Sequence, residues 1–378
     1  MTRPPVPPAT RTPTEEFRFP CRHCGSDMRF NPDTAGLSCD HCGSTEDLPS
    51  LGPWAKAAGN WTSVSREHDI RQFLTTQEAA EDIEETRVTV CSSCAAQVTL
   101  DGATHAKECP YCATPLVADT GTHRHIKPQG LLLFTLDQDA ALASMRDWLG
   151  RLWFAPHKLQ SYARGGRRMQ GIYTPFWTFD AATKTRYSGL RGRNYFVTVQ
   201  LAGGKSRREQ RTDWRPVSGH VTRRFNDILI LGSKALPKWI VDNLQPWDLR
   251  ALRPYQPEAL SGFQAEGYTV SLLDGYEDAK IHMDQQIKQD IRRDIGGDHQ
   301  RISKRYTQVD DVTFKHILLP LWVAAYKYKG RSYRFVVNGQ TGNVQGERPW
   351  SVPKILAAVI LGLVVIAGAA YLVNVADM

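Results

Sequence analysis

Eight cysteines constrain this chain more than any other residues. They fall as Cys21, Cys24, Cys39 and Cys42, and then as Cys91, Cys94, Cys109 and Cys112. Each quartet reads C-x2-C-x14-C-x2-C, and the second repeats the first at an offset of 70 residues. Four thiolates delivered as two close pairs suit a tetrahedral Zn²⁺, each knuckle supplying two sulfurs. The spacing therefore predicts two structural zinc ribbons, at residues 17–46 and 87–118, related by duplication. Four sulfurs per ion leave no position for water, so the metals stiffen the fold and perform no chemistry. His23, His41 and His105 lie close by and are expected on the surface, offsetting part of the tetrathiolate charge. Cys109-Pro110-Tyr111-Cys112 resembles a dithiol redox pair. Such a pair follows a strand, opens a helix and needs no second CxxC, so ligation is the preferred use.

Within the first ribbon, strands are expected at Phe17–Phe19, Asp27–Phe30 and Gly36–Ser38, and within the second at Arg87–Val90 and Gln97–Leu100. Gly25 and Gly43 follow the second cysteine of each pair in ribbon one, where a backbone with φ > 0 turns N–H groups toward sulfur. Ribbon two has Ala95 and Ala113 there. In the linker 47–86, Ile70, Phe73, Leu74 and Ala80 give His68–Glu85 the pattern of an amphipathic helix.

The first 16 residues are polar and rich in proline, without the apolar core of a secretory signal, and read as a disordered arm. In the reducing interior that this implies, paired cysteines serve metals more readily than disulfides. The composition, 41% hydrophobic and 23% charged, is that of a folded globular protein. The net charge of +8 and a pI near 9.0 suit an anionic partner, nucleic acid or a membrane surface. Clusters such as Arg164/Arg167/Arg168, Arg191/Arg193, Arg207/Arg208/Arg211 and Arg292/Arg293 read first as solvated faces.

Residues 122–350 read as an α+β body, mainly antiparallel. Leu131–Leu136 is a short apolar strand, and Asp137 caps a helix carrying Leu142, Met145, Leu149 and Leu152. Strand-like segments follow, among them Tyr195–Leu201 and Asp227–Leu231, then a helix over Glu277–Ile295. A faint duplication relates residues 172–221 to 317–346: Ile172-Tyr173-Thr174-Pro175-Phe176-Trp177 parallels Ile317-Leu318-Leu319-Pro320-Leu321-Trp322. Core packing is the expected role of these rings. A ligand cleft lined by Tyr173, Trp177, Trp322 and Tyr326 is the alternative. Asn338-Gly339 and Thr341-Gly342 signal hairpin turns.

The last apolar run, Ile355–Val373, carries no charge, and at ~1.5 Å per residue its 19 residues reach about 28 Å. It predicts one C-terminal transmembrane helix over 355–373, touching membrane lipid. The protein would then be a single-pass, tail-anchored membrane protein with its N-terminal body in the cytoplasm. Ala358 and Gly362, four apart, suit a helix homodimer.

FPCRHCGSDMRF, RLWFAPHKL, GIYTPFWTFDA, FKHILLPLW and VNGQTGNVQGERP resemble a bacterial zinc-ribbon membrane protein family. It is commonly labelled "primosomal protein N′ (replication factor Y), superfamily II helicase"-like, and the resemblance runs from Phe17 to about Lys354. Similar zinc-ribbon membrane anchors are encoded beside SPFH-domain and PspA-like proteins, which implies a protein scaffold as partner, in envelope stress. The helicase label fails on residues. Gly203-Gly204-Lys205-Ser206 has Val199 where a phosphate loop needs its first glycine, and no Asp-Glu-x-His or Asp-Glu-x-Asp box occurs. Neither G-x-S-x-G nor H-E-x-x-H is present, and Gly296-Gly297-Asp298-His299 reads as a helix stop. The resulting expectation is a non-enzymatic, tail-anchored adaptor holding two Zn²⁺ ions. A zinc-ribbon protein that binds nucleic acid and is linked to DNA replication is the alternative.

Overall fold

The computed structural model describes residues 19–48, 67–75, 83–91, 93–94, 96–99, 106–112, 115–117, 121–154, 156, 169–200, 206–328, 331–348 and 351–376. The N-terminal arm, Arg164, Arg167, Arg168 and Trp350 lie outside them.

Ribbon one is a three-stranded antiparallel sheet of β1 (Met28–Asn31), β2 (Gly36–Cys39) and β3 (Thr45–Asp47). Most of the strand expected at Phe17–Phe19 lies outside the described residues, and next to it a single bridge joins Pro20 and Asp27. After β4 (His68–Asp69) comes a short helix, α1 (Ile70–Thr75). The helix predicted through Glu85 does not extend that far, because Ile83 already opens β5 (Ile83–Val90). Isoleucine, valine and threonine recur along β5, and such side chains suit a pleated surface better than a helix. Ribbon two follows as β6 (Gln97–Thr99), β7 (Ala106–Glu108) and β8 (Pro115–Val117), with β9 (Gly121–Ile126) returning along β5.

The body is built on three very long strands: β11 (Gln170–Gln200), β12 (Ser206–Leu231) and β15 (His299–Tyr328). They lie in one curled nine-stranded sheet with β10 (Gly130–Leu131), β13 (Arg253–Pro254), β14 (Gln264–Ala265), β16 (Arg331–Asn338), β17 (Val344–Gly346) and β4. At the body end both sheet faces are covered, so Ile172 through Phe179 is buried without a break. Parity then separates two cores. On one face Tyr173, Leu318 and Trp322 pack with Phe134, α2 (Gln138–Gly150) and ribbon one. On the other, Ile172, Phe176 and Ile317 pack with α3 (Lys238–Asp242) and ribbon two. The two similar segments of the body pair antiparallel with each other, Ile172 opposite Leu321 and Phe176 opposite Ile317.

Beyond Asp180 the sheet continues outward as an arm, and burial alternates residue by residue. Here one face is covered by α4 (Leu272–Ile295), whose Met283, Ile287, Ile291 and Ile295 form a third core with Trp177, Phe179 and Tyr187. Ser271 caps this helix, accepting from Asp274 N, and Gly296 and Gly297 end it at φ +65° and +77°. Asp137 caps α2 in the same way, accepting from Ala140 N at 2.7 Å.

Two expectations are corrected. The α+β assignment gives way to a mostly β fold, because β11, β12 and β15 extend for 31, 26 and 30 residues where shorter strands were expected. The predicted transmembrane helix, and with it the tail anchor and the single-pass membrane location, is also withdrawn. Among the described residues no helix is long and apolar enough to cross a membrane. The C-terminal helix α5 is assigned over Val352–Ala376.

Candidate metal centres

Each cysteine quartet is assembled by two tight turns. In ribbon one, Gly25 N donates to the Cys21 carbonyl at 2.8 Å and Gly43 N to the Cys39 carbonyl at 2.9 Å. Both glycines stand at positive φ, +75° and +72°, and an added Cβ would meet no atom within 4 Å. The constraint is therefore backbone conformation and not space. In ribbon two Cys91 N donates to the Ala96 carbonyl at 2.8 Å, as Cys21 N does to the Ser26 carbonyl at 2.7 Å in ribbon one; Ala95 and Ala113 lie outside the described residues.

The four sulfurs of each quartet lie within 4.8 Å of one another. Their close edges are 3.6 Å for Cys21–Cys42, 3.5 Å for Cys24–Cys39, 3.5 Å for Cys91–Cys112 and 3.7 Å for Cys94–Cys109. A tetrahedron with Zn–S near ~2.3 Å has sulfur–sulfur edges of about 3.8 Å, close to these four, so both quartets suit zinc. Local groups lower four of the thiols and raise three, Cys39, Cys91 by burial and Cys109 by its hydrogen bond to Cys94. The His23 N–H, 3.4 Å from Cys21 Sγ, lowers that thiol, the Ser26 N–H lowers Cys24, and the Ser44 hydroxyl lowers Cys42. In ribbon two, the Cys109 thiol as donor brings Cys94 down to about 5. His23 and His41 are exposed, as expected, and His105 lies outside the described residues.

Neither ribbon hangs free. Ribbon one is tied to the body by Phe30 N to the Ser261 carbonyl at 3.0 Å and by Ser261 Oγ to the Met28 carbonyl at 2.6 Å. Ribbon two is tied through the residue that made its second knuckle look like a redox motif. Tyr111, fully buried, donates its hydroxyl to Glu266 Oε2 at 2.6 Å, while Ser233 Oγ donates to Oε1 at 2.6 Å. Burial pushes the Glu266 carboxyl up to about 8 in spite of these two donors. Tyr111 is thus a docking residue. Neither Glu266 nor Ser233 belongs to a sequence motif, and only the fold brings them to the knuckle.

A second polar group joins the body to the arm. Lys315, 5% exposed, lies 2.8 Å from Asp227 and 3.0 Å from Glu67, beside Asp180, whose carboxyl burial pushes up to about 6. The rings of the two Pro-x-Trp segments are core residues: Trp177 Nε1 donates to the Val270 carbonyl and Trp322 Nε1 to the Leu136 carbonyl, each at 3.0 Å. The connection 201–205, with its phosphate-loop-like glycines, lies outside the described residues, yet the flanking strands pair Gln200 with Ser206, as in a hairpin.

The chain is similar to the uncharacterized protein YdjG of Bacillus subtilis (strain 168). The two are 25% identical over 346 residues, which is 90% of this chain and 92% of that one. No family model matches, and no solved structure matches.

Proposed function

We propose that the chain is a non-enzymatic adaptor, in which two zinc ribbons hold a mostly β body in a fixed shape so that it can present docking surfaces to a protein partner. The observation that carries this reading is that both cysteine quartets are closed and both are docked into the body, on opposite faces of one sheet. A closed site of four cysteines offers substrate no coordination position. It contributes rigidity, and here that rigidity is passed to the sheet through Ser261 and Tyr111.

The test is cross-linked co-purification of the full chain from its own cells, beside Cys24→Ser and Cys94→Ser variants. The adaptor reading expects a partner recovered in near-equal amount with the unaltered chain and lost when either quartet is broken. Turnover of a small molecule by the purified zinc-loaded chain, with no stoichiometric partner, would overturn it.

A further inference from the structure

The arm carries its charge unequally on its two faces. On the face toward α4, four arginines have carboxylate partners: Arg223 with Asp290, Arg305 with Asp284, Arg215 with Asp213 and Arg211 with Glu209. Arg193 and Arg207 on that face are exposed and have no ion pair among the described residues. On the opposite face stand Lys184, Arg186, Arg208, Arg301 and Lys304, all exposed and none ion-paired among the described residues. Strand register places them together. Successive rungs across β11, β12 and β15 read Lys184–Thr222–Gln308, Arg186–His220–Tyr306, Ser188–Ser218–Lys304, Leu190–Pro216–Arg301 and Gly192–Trp214–His299. No carboxylate occurs in these rungs; Asp310, opposite Ala182, is the nearest at the body end.

Rings are interleaved with the cations. Tyr306 is 73% and Phe196 55% exposed. The Arg301 guanidinium lies 4.3 Å from the Trp214 ring centre, and that of Arg208 lies 4.3 Å from Phe196. From Lys184 to Thr198 the face runs about 45 Å at the usual rise per strand residue.

We infer that this face binds single-stranded nucleic acid, with phosphates on the five cations and bases stacked on Tyr306, Trp214 and Phe196. Unpaired bases offer flat faces to the exposed Tyr306 and Phe196 and to the half-buried Trp214, and the backbone offers one charge per nucleotide to a line of guanidinium and ammonium groups. A duplex hides its base faces, and an acidic peptide has no use for the rings. The inference stands apart from the adaptor reading, since it concerns the arm and not the ribbons.

The test is fluorescence anisotropy of a labelled dT20 strand with the full zinc-loaded chain. A duplex of equal length, polyglutamate and phosphatidylserine vesicles serve as competitors. Five phosphate contacts predict a log–log salt slope of about −3.5 for a single strand, a loss of roughly 100-fold between 50 and 200 mM salt. Arg186→Glu with Lys304→Glu should flatten the slope to about −2 and weaken binding at least tenfold. Tyr306→Ala should weaken it about 5- to 150-fold, one stacked base, and leave the slope unchanged. Arg211→Ala, on the α4 face, should change nothing. Circular dichroism and the melting midpoint verify that each variant is folded. The inference is overturned if dT20 does not bind at 50 mM salt or if the double variant binds like the parent. It is equally overturned if Arg211→Ala does the same damage, or if duplex, polyglutamate or vesicles compete better than unlabelled dT20.

Discussion

Replacing Glu266 by glutamine tests how ribbon two is seated. Glu266 is 4% exposed and takes hydroxyl hydrogen bonds from Tyr111 and Ser233, each 2.6 Å long. Burial raises its carboxyl from 4.5 to about 8. The folded chain therefore holds a proton that the unfolded chain releases near pH 4.5, and the associated stability is complete below that value and lost as pH rises through about 8. At 1.36 kcal/mol per pH unit, the part of this loss between pH 6.5 and 9 is about 2 kcal/mol. Glu266→Gln keeps the shape and cannot ionise, so its stability should not carry that loss. The assay is urea unfolding of both zinc-saturated proteins at pH 6.5, 7.5, 8.5 and 9. Zinc–thiolate titration is common to both curves and cancels in their difference. If the two curves run parallel within about 0.5 kcal/mol over this range, Glu266 is not buried against Tyr111 and ribbon two does not dock as described.

Three further outcomes follow from the same geometry. Metal analysis should find two zinc ions per chain, and Cys24→Ser should lose one of them; a chelator should lower the unfolding midpoint of the parent, given roughly 10 kcal/mol or more of binding energy per structural zinc. Gly189→Ala would place a Cβ 2.3 Å from the Arg301 carbonyl oxygen, a backbone atom that cannot yield cheaply; a loss of about 1–3 kcal/mol in urea unfolding is expected. Ile291→Ala empties a fully buried position between α4 and the arm, and should cost about 2–5 kcal/mol by the same measurement.

The zinc ligands were legible in the chain because their chemistry is local. CxxC fixes two sulfurs within one turn, and repetition at a constant offset identifies the partner pair. The caps at Asp137 and the glycine stop at Gly296 were legible for the same reason, since a capping side chain reaches only its own first turn. The rings of Ile172–Trp177 were legible as core residues, but nothing in them told that both faces of the strand are covered or which ribbon covers which face.

Other features depended on contacts between residues far apart in the chain. The redox-like Tyr111 became a docking residue only because Glu266, 155 positions later, lies beneath it. The basic clusters could be counted in the chain, yet their division between a face that carries the arm's ion pairs and one without carboxylates follows from strand register, since a shift of one residue exchanges the two faces. The length of β11, β12 and β15 was likewise beyond sequence reading: alternating polar and apolar residues permit a strand, but only mutual pairing and the cover of α4 sustain one for 30 residues. The sequence by itself thus determined where metal is held, which residue caps α2 and which stops α4, because those depend on groups a few bonds apart. The tertiary structure decided how the ribbons are seated and which side of the arm is left charged, because those depend on long-range pairing.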